Sequence, residues 1–128
     1  MHRDRIVVCF TGDSDFLITG QELATAVQYG LNIVILVVNN GMYGTIKMHQ
    51  ERRYPGRVIG SDLVNPDFAA YARAFGGHGE VIEETSQFAP AFERVLASGK
   101  PAVLEIRIDP QVITPNTTLD ALRQQARR

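Results

Sequence analysis

Two apolar runs, IVVCFT at residues 6–11 and IVILVV at residues 33–38, decide the fold of this chain. Each run ends abruptly in small polar residues, which read GDSD at 12–15 and NNGM at 39–42. Short, continuous apolar runs with such endings are typical of parallel strands that are buried on both faces. The segment between the two runs has helical spacing, so the unit is predicted to be strand, helix, strand.

The two predicted strands would run in the same direction, so their carboxyl ends would open on the same edge of a sheet. Ligands bind at that edge in open α/β sheets. Asp13 follows the first strand and Asn40 follows the second. The sequence therefore predicts that these two side chains lie side by side at a binding edge.

The composition favours a single globular domain and gives no sign of nucleic-acid or membrane binding. The chain has 128 residues, of which 45% are apolar, and a formal net charge of −1. The charge provides no basic field for nucleic acid, and the run at 33–38 is far shorter than the roughly 20 residues that span a bilayer. Residues 1–128 are predicted to be one domain, with 109–128 as its C-terminal tail.

Cys9 is the only cysteine, and it lies within the first apolar run. We therefore predict a buried, reduced thiol with a structural role. A single cysteine excludes a disulfide within the chain, which fits a reducing compartment, so the predicted location is the cytoplasm.

The remaining elements are predicted from periodicity and from turn residues. A helix is expected over 20–29, opened by a capping box of Thr19 and Glu22. A charged helix is expected from Tyr43, with Ile46 as its clearest apolar anchor. The other predictions are an Asn65 N-cap, helices over about 66–75 and 88–96, strands over 78–82 and 101–108, and a weak helix near 118–128.

The predicted edge carries oxygen atoms suited to a hard cation. Asp13 offers a carboxylate, Asn40 an amide oxygen, and Gly41-Met42 a backbone carbonyl. Mg²⁺ or Ca²⁺ takes such ligands, and Mg²⁺ often completes its shell with water and phosphate oxygens. A diphosphate bridged by the metal would suit this set. The alternative is that Gly-Asp and Asn-Asn-Gly are ordinary turns, which is the favoured interpretation for either motif taken singly but not for the two together.

The motif Gly12-Asp13-Ser14, followed after one helix and one strand by Asn39-Asn40, resembles the signature of thiamine-diphosphate-dependent enzymes. In that family the pattern is Gly-Asp-Gly and then Asn-Asn. Residues 20–26, 40–45 and 113–119, which read GQELATA, NGMYGT and ITPNTTL, are similar to the acetolactate synthase-like branch. Ser14 stands where glycine is usual, but it is small and keeps its backbone N–H.

The resemblance implies an α/β fold with a mostly parallel sheet and helices on both faces, and with its first strand and helix missing upstream. It implies that this is the C-terminal diphosphate-binding domain of such an enzyme, with thiamine diphosphate and Mg²⁺ as cofactors. The implied metal ligands are Asp13, the Asn40 side chain and the Met42 carbonyl. The other implied cofactor contacts are Gly12, Ser14 and Asp15 along the diphosphate and Tyr43 and Gly44 beside it.

The resemblance also implies an activity and partners for the parent enzyme. The activity would be carboligation or decarboxylation of 2-oxo acids. The glutamate that activates the cofactor would come from the pyrimidine-binding domain of a second subunit, so the enzyme would be a homo-oligomer and the isolated chain inactive. One alternative is a 2-oxo acid or oxalyl-CoA-type decarboxylase of the same family. The other is a non-catalytic fragment or oligomerising module that binds no cofactor.

Overall fold

The structure is a computed structural model that describes residues 5–126. The chain divides into two compact units, Met1–Asn39 with Asn65–Arg107, and Asn40–Val64 with Ile108–Arg128. In chain order the elements are β1 (Val7–Gly12), α1 (Asp13–Thr19), a 3-10 turn (Gly20–Glu22), α2 (Leu23–Gln28), β2 (Ile33–Asn39), α3 (Gly44–Arg53), α4 (Phe68–Ala74), β3 (His78–Ile82), α5 (Thr85–Ser98), β4 (Ala102–Arg107), β5 (Val112–Thr114), β6 (Thr117–Thr118) and α6 (Leu119–Ala126).

The four strands of the first unit form one parallel sheet in the order β1-β2-β4-β3. Gly12 at the end of β1 pairs with Val38, and Asn39 at the end of β2 pairs with Arg107. The carboxyl ends of these three strands therefore share one edge of the sheet. Asp13 begins helix α1 directly after β1, at this edge.

Apolar side chains pack on both faces of the sheet around β2 and β4. On one face, Leu36 and Leu104 of the strands pack with Val95 of α5 in a single buried cluster. The cluster on the other face joins the strands to α1, α2 and α4, and its buried members are Phe16, Leu23, Val37, Phe68, Ala72 and Val103. The predicted fold class, a mostly parallel sheet with helices on both faces, is confirmed.

The first strand differs from its prediction because β1 lies at one edge of the four-stranded sheet. Its residues Val7 to Phe10 are exposed, and the Phe10 side chain is 72% accessible. Cys9 is exposed as well, so the prediction of a buried thiol is wrong. An apolar run indicates a strand, but its composition does not distinguish an edge strand from a central one.

The N-terminal helical region also differs from its prediction. Helix α1 begins at Asp13, well before the predicted start at residue 20. The predicted capping box is wrong, because neither Thr19 nor Glu22 makes a side-chain capping hydrogen bond. The Glu22 carboxylate accepts instead from Thr25 Oγ1. Helical periodicity located the segment, but tertiary packing decided where it begins.

Two other helices of the first unit have side-chain caps that the sequence prediction missed. Asp67, not Asn65, caps α4, since its carboxylate accepts the Ala70 N–H at 2.7 Å. Helix α5 opens with a capping box of Glu84 and Gln87 and has 14 residues. Within residues 5–126, none of the helices has the length and apolar character required to cross a membrane.

The second unit contains helix α3, the antiparallel β5–β6 hairpin and helix α6. Leu119 and Leu122 of α6 are buried, so residues 109–126 of the predicted tail hold packed secondary structure. The division into one domain and a tail stays a prediction. Ile46 is 50% exposed and is not the apolar anchor of α3.

The buried residue of α3 is Glu51, whose side chain is only 1% exposed. Both of its carboxylate oxygens accept hydrogen bonds from the Arg123 guanidinium of α6, and one also accepts the Gly56 N–H at 2.8 Å. These hydrogen bonds, above all those from Arg123, hold the pKa of Glu51 below its ordinary value, although burial opposes the shift. The pair therefore stabilises the folded state above the ordinary carboxyl pKa and loses its effect as the pH falls below it.

We predict that Arg123→Met lowers the free energy of unfolding at pH 7 by about 2 kcal/mol, because it leaves a buried carboxylate without its ion partner. This is less than the roughly 3–5 kcal/mol of a fully buried pair, since the Arg123 side chain is 32% exposed. Urea unfolding at pH 7 and pH 4 measures the effect, with the exposed Arg52→Met as the matched control. The loss should shrink at pH 4; an equal loss at both pH values would contradict the assignment.

Candidate functional site

Asp13 is a buried carboxylate at the carboxyl edge of the sheet, with 3% of its surface exposed. Its Oδ1 accepts the backbone N–H of Ser14 at 2.9 Å, and its Oδ2 accepts from Asn65 Nδ2 at 2.7 Å. The Asp13 carboxylate is therefore held in one orientation at the carboxyl edge of the sheet.

Asn65 connects Asp13 to the end of the neighbouring strand. Its Nδ2 also donates to Asn39 Oδ1 at 2.9 Å, and Asn39 Nδ2 donates to Glu105 Oε1 at 2.9 Å. A chain of side-chain hydrogen bonds therefore runs from the start of α1 across the ends of β2 and β4. All four residues belong to the first unit.

Glu105 terminates this chain as a carboxylate that is 1% exposed within a central strand. Besides Asn39, it accepts the Phe68 N–H at the start of α4 at 3.0 Å and the Arg107 Nε–H at 3.0 Å. The Glu105 carboxylate raises the pKa of the Arg107 guanidinium, which also donates to Glu83. The buried charge is thus supplied with donors from three elements of the unit.

The other predicted diphosphate contacts of the first unit lie beside Asp13. Gly12 ends β1, and Ser14 and Asp15 follow in the first turn of α1. A Cβ on Gly12 would lie 3.2 Å from Asp15 Oδ2, so a side chain there would require Asp15 to move. The structure therefore places these four predicted residues together.

The predicted residues of the second unit form a tight turn followed by α3. Asn40 Oδ1 accepts the Met42 N–H at 3.1 Å, and Gly41 has a φ of +68°. This is the ordinary Asx turn that the sequence allowed as an alternative. It also fixes the orientation of the Asn40 amide oxygen. Tyr43 caps α3 by position and is 39% exposed.

Gly44 is closely packed against this turn. A Cβ at residue 44 would lie 2.9 Å from Asn40 Nδ2 and 3.0 Å from the Ile113 side chain. Gly44 is the first residue of helix α3 and does not have a positive φ. A glycine is therefore needed here for close packing and not for an unusual backbone conformation. The glycine allows the Asn40 amide to lie against the helix start.

Asp13 belongs to the first unit, and Asn40 and Met42 belong to the second. The three predicted metal ligands are thus divided between the two units. Their grouping around one cation stays a prediction. Among residues 5–126, no three histidine, cysteine, aspartate or glutamate side chains are grouped closely enough to hold a metal ion. A divalent cation in the described part of the chain would thus require amide, carbonyl, phosphate or water oxygens beside a carboxylate, which is acceptable to Mg²⁺.

A cavity of about 180 Å³ lies in the first unit, on the side of the sheet that faces α1 and α2. Its walls include Cys9, Thr11, Phe16 and Leu23, and Asp15 is the one predicted site residue among them. It is lined by neither Asp13 nor Asn65. The cavity therefore provides no support for the predicted metal ligands.

Sequence reasoning missed the parts played by Asn65 and Glu105. Asn65 was assigned to a helix N-cap, which Asp67 supplies. Glu105 is a single acidic residue inside the apolar run AVLEI. An isolated charge in a predicted buried strand is a signal for a satisfied polar network, and this signal would have identified Glu105.

Comparison with known proteins connects this geometry to one family. The sequence profile described as "Thiamine pyrophosphate enzyme, C-terminal TPP binding domain" matches residues 1–106. A probable acetolactate synthase of Mycobacterium bovis is 36% identical over 111 residues, which are 87% of this chain and 20% of that protein. A 2-hydroxyacyl-CoA lyase of Arabidopsis thaliana is 36% identical over 117 residues, 84% of this chain and 20% of that protein.

Two solved structures of decarboxylases have a fold similar to that of this chain. A benzoylformate decarboxylase from Polynucleobacter necessarius has a TM-score of 0.76 and 28% identity, over 84% of this chain and 20% of that one. A thiamine diphosphate-dependent 4-hydroxybenzoylformate decarboxylase of Rhodococcus jostii has a TM-score of 0.75 and 30% identity, over 83% of this chain and 20% of that one. The chain spans about a fifth of the length of these relatives.

We predict that Gly44→Ala destabilises the protein, although alanine is ordinarily better than glycine in a helix by about 0.5–1 kcal/mol. The reason is that the added Cβ would displace the Asn40 amide or the Ile113 side chain. Thermal melts measure the effect, with Thr45→Ala at an exposed position of the same helical turn as the control. A melting temperature of Gly44→Ala at or above that of the wild type would contradict the packing argument.

Proposed function

Because this chain belongs to the thiamine pyrophosphate enzymes, as a C-terminal TPP-binding domain of the acetolactate synthase-like branch, we propose that it anchors the cofactor's diphosphate through Mg²⁺. The observation that carries the proposal is the buried Asp13 carboxylate, which Ser14 and Asn65 hold at the carboxyl edge of the sheet. Bound ligands of open α/β sheets lie at such edges.

The proposed metal ligands are the Asp13 carboxylate, the Asn40 side-chain oxygen and the Met42 carbonyl. All are hard oxygen donors, and only one is charged, so phosphate oxygens and water would complete the shell of Mg²⁺. The Asx turn supports this choice, since the Met42 N–H already fixes the Asn40 oxygen. Gly12, Ser14 and Asp15 are proposed to line the diphosphate, with Tyr43 and Gly44 beside it.

The proposed reaction of the whole enzyme is carboligation or decarboxylation of 2-oxo acids. Bound thiamine diphosphate supplies the electron sink that makes loss of CO₂ from such an acid possible. The part of this chain is to hold and orient the cofactor. Asp13 neutralises metal charge, and the backbone around Ser14 and Asp15 positions the diphosphate. None of the residues described above is proposed to transfer a proton in the reaction.

A simple decarboxylase is the second candidate within the same family. The solved structures of similar fold include two decarboxylases of aromatic 2-oxo acids, and the curated relatives include a lyase. The lyase and the acetolactate synthase of Mycobacterium bovis are both 36% identical to this chain, so identity does not separate the two candidates. The first candidate is favoured because acetolactate synthases recur among the similar proteins. A non-catalytic module without cofactor would lack the Mg²⁺-dependent binding tested below.

The proposal includes partners and a location. A pyrimidine-binding domain of a second subunit is proposed to complete the active site, in a cytoplasmic homo-oligomer. The exposed apolar residues of β1, such as Val8 and Phe10, support burial of this edge in a larger assembly. On this proposal the 128-residue chain alone has no turnover.

Substitutions of the proposed ligands should rank in a definite order of effect. We predict that Asp13→Ala abolishes Mg²⁺-dependent binding of thiamine diphosphate, because it removes the one charged protein ligand. Asn40→Ala should weaken binding strongly, and Met42→Ala should change it little, since alanine keeps the backbone carbonyl. Isothermal titration of the cofactor over a series of Mg²⁺ concentrations measures the order.

Thermal melts without ligand are the folding control for this series, because Asp13 and Met42 are both buried. If the two motifs were turns only, substitution of Asp13 or Asn40 would lower the melting temperature without altering the Mg²⁺ dependence. Equal Mg²⁺ dependence in the wild type and in Asn40→Ala would refute the assignment of Asn40 as a ligand.

A further inference from the structure

Asn65 lies in a loop, and its side chain hydrogen-bonds to two residues at the carboxyl edge of the sheet. It is not one of the proposed metal ligands. Its Nδ2 lies 2.7 Å from Asp13 Oδ2 and 2.9 Å from Asn39 Oδ1. A primary amide nitrogen carries two hydrogens, so each hydrogen has one acceptor. The orientation of the Asn65 amide is therefore tied to that of the Asp13 carboxylate.

Glu105 sets the direction of the hydrogen bonds that reach Asn65. An ionised carboxylate accepts hydrogen bonds and cannot donate them. Asn39 must therefore present its NH₂ group to Glu105 and its oxygen to Asn65. If either amide were reversed, two oxygens or two NH₂ groups would face each other in a buried network, which is costly.

The same arrangement leaves one acceptor of Asn65 for a further partner. Its Oδ1 is buried, and within residues 5–126 it accepts no hydrogen bond. Buried polar atoms of native proteins nearly always have a partner, often an ordered water or an ion. A water molecule bound to a divalent cation is a strong donor and would supply that partner.

We propose that Asn65 is a positioning residue for the Mg²⁺ site, and that Glu105 orients it through Asn39. Asn65 holds the Asp13 carboxylate in place with its NH₂ group, and its Oδ1 accepts a hydrogen bond from a metal-bound water. The inference rests on the proposed function, since it concerns the same cation. Residues in this position around a metal typically change affinity by about 10–100-fold when they are removed.

The alternative is a purely structural role, in which Asn65 only fastens the chain before α4 to the ends of β1 and β2. The two roles differ in what they do to the metal requirement. A structural link changes the stability of the folded chain and leaves the Mg²⁺ requirement of the folded fraction unaltered. A positioning residue raises the Mg²⁺ concentration needed for cofactor binding.

The test uses the full chain with three substitutions, Asn65→Ala, Glu105→Gln and Asn32→Ala. Asn32 is the matched control, because it is an exposed asparagine at the opposite end of β2. Its backbone carbonyl accepts the Val7 N–H, which alanine at this position would keep. Thiamine diphosphate is titrated by calorimetry over a Mg²⁺ series, and circular dichroism melts are recorded without ligand. Glu105→Gln keeps the side-chain volume while it puts an NH₂ group in the network.

We expect Asn65→Ala and Glu105→Gln to need about 10–100-fold more Mg²⁺ for half-maximal binding, and Asn32→Ala to match the wild type. If Asn65→Ala fails to fold, Glu105→Gln decides the question, because Glu105 is not a proposed ligand and reaches Asp13 through Asn39 and Asn65. A lowered melting temperature with a wild-type Mg²⁺ requirement would overturn the positioning role. A wild type that binds no cofactor with Mg²⁺ would overturn the proposed function itself.

Discussion

The burial of one carboxylate, Glu105, is the constraint on which much of the first unit depends. It lies in β4, between β2 and β3, where an ionised group is stable only if donors surround it. The donors come from Asn39 at the end of β2, from the backbone of Phe68 at the start of α4, and from Arg107 in the same strand. Satisfying this one charge therefore fixes a strand end, a helix start and an amide orientation together.

The consequence for function is a rigid polar edge on an otherwise apolar sheet. Through Asn39 and Asn65, the network reaches the Asp13 carboxylate, which the proposed Mg²⁺ would use. The rest of the unit supplies apolar packing on both faces, which keeps the strand ends in register. The family to which the chain belongs binds thiamine pyrophosphate, and a fixed carboxylate at the strand ends suits a metal-bridged diphosphate.

Strands that are marked by an apolar run and flanking turn residues were predicted well from the sequence. The bounds of β3 agree with the predicted strand over 78–82, and β2 covers the predicted run at 33–38 and extends it by Asn39. Burial of β1 was mispredicted, because Cys9 and Phe10 lie in an edge strand, and no local pattern reveals the position of a strand within its sheet. The start of α1 at Asp13 was also missed, since packing rather than a capping motif decides it.

Some residues of the candidate site were predicted from local sequence, and others were not. Asp13 and Asn40 were found because each follows an apolar run, and their motif resembles that of a known family. Asn65 and Glu105 were missed because their contacts join residues that are far apart in sequence. Such hydrogen bonds depend on the packing of strands and helices, and only the three-dimensional structure places their donors and acceptors.

The central claim is that Asp13 anchors a cofactor-bound divalent cation at this edge. The most direct measurement is a crystal structure of the chain with thiamine diphosphate and Mn²⁺ in place of Mg²⁺, with anomalous scattering to locate the metal. We predict one Mn²⁺ peak at about 2.1–2.2 Å from an Asp13 carboxylate oxygen, near the octahedral distances of such ions, and bridged to the diphosphate. A metal peak that is bound to the diphosphate but not to Asp13 would contradict the claim.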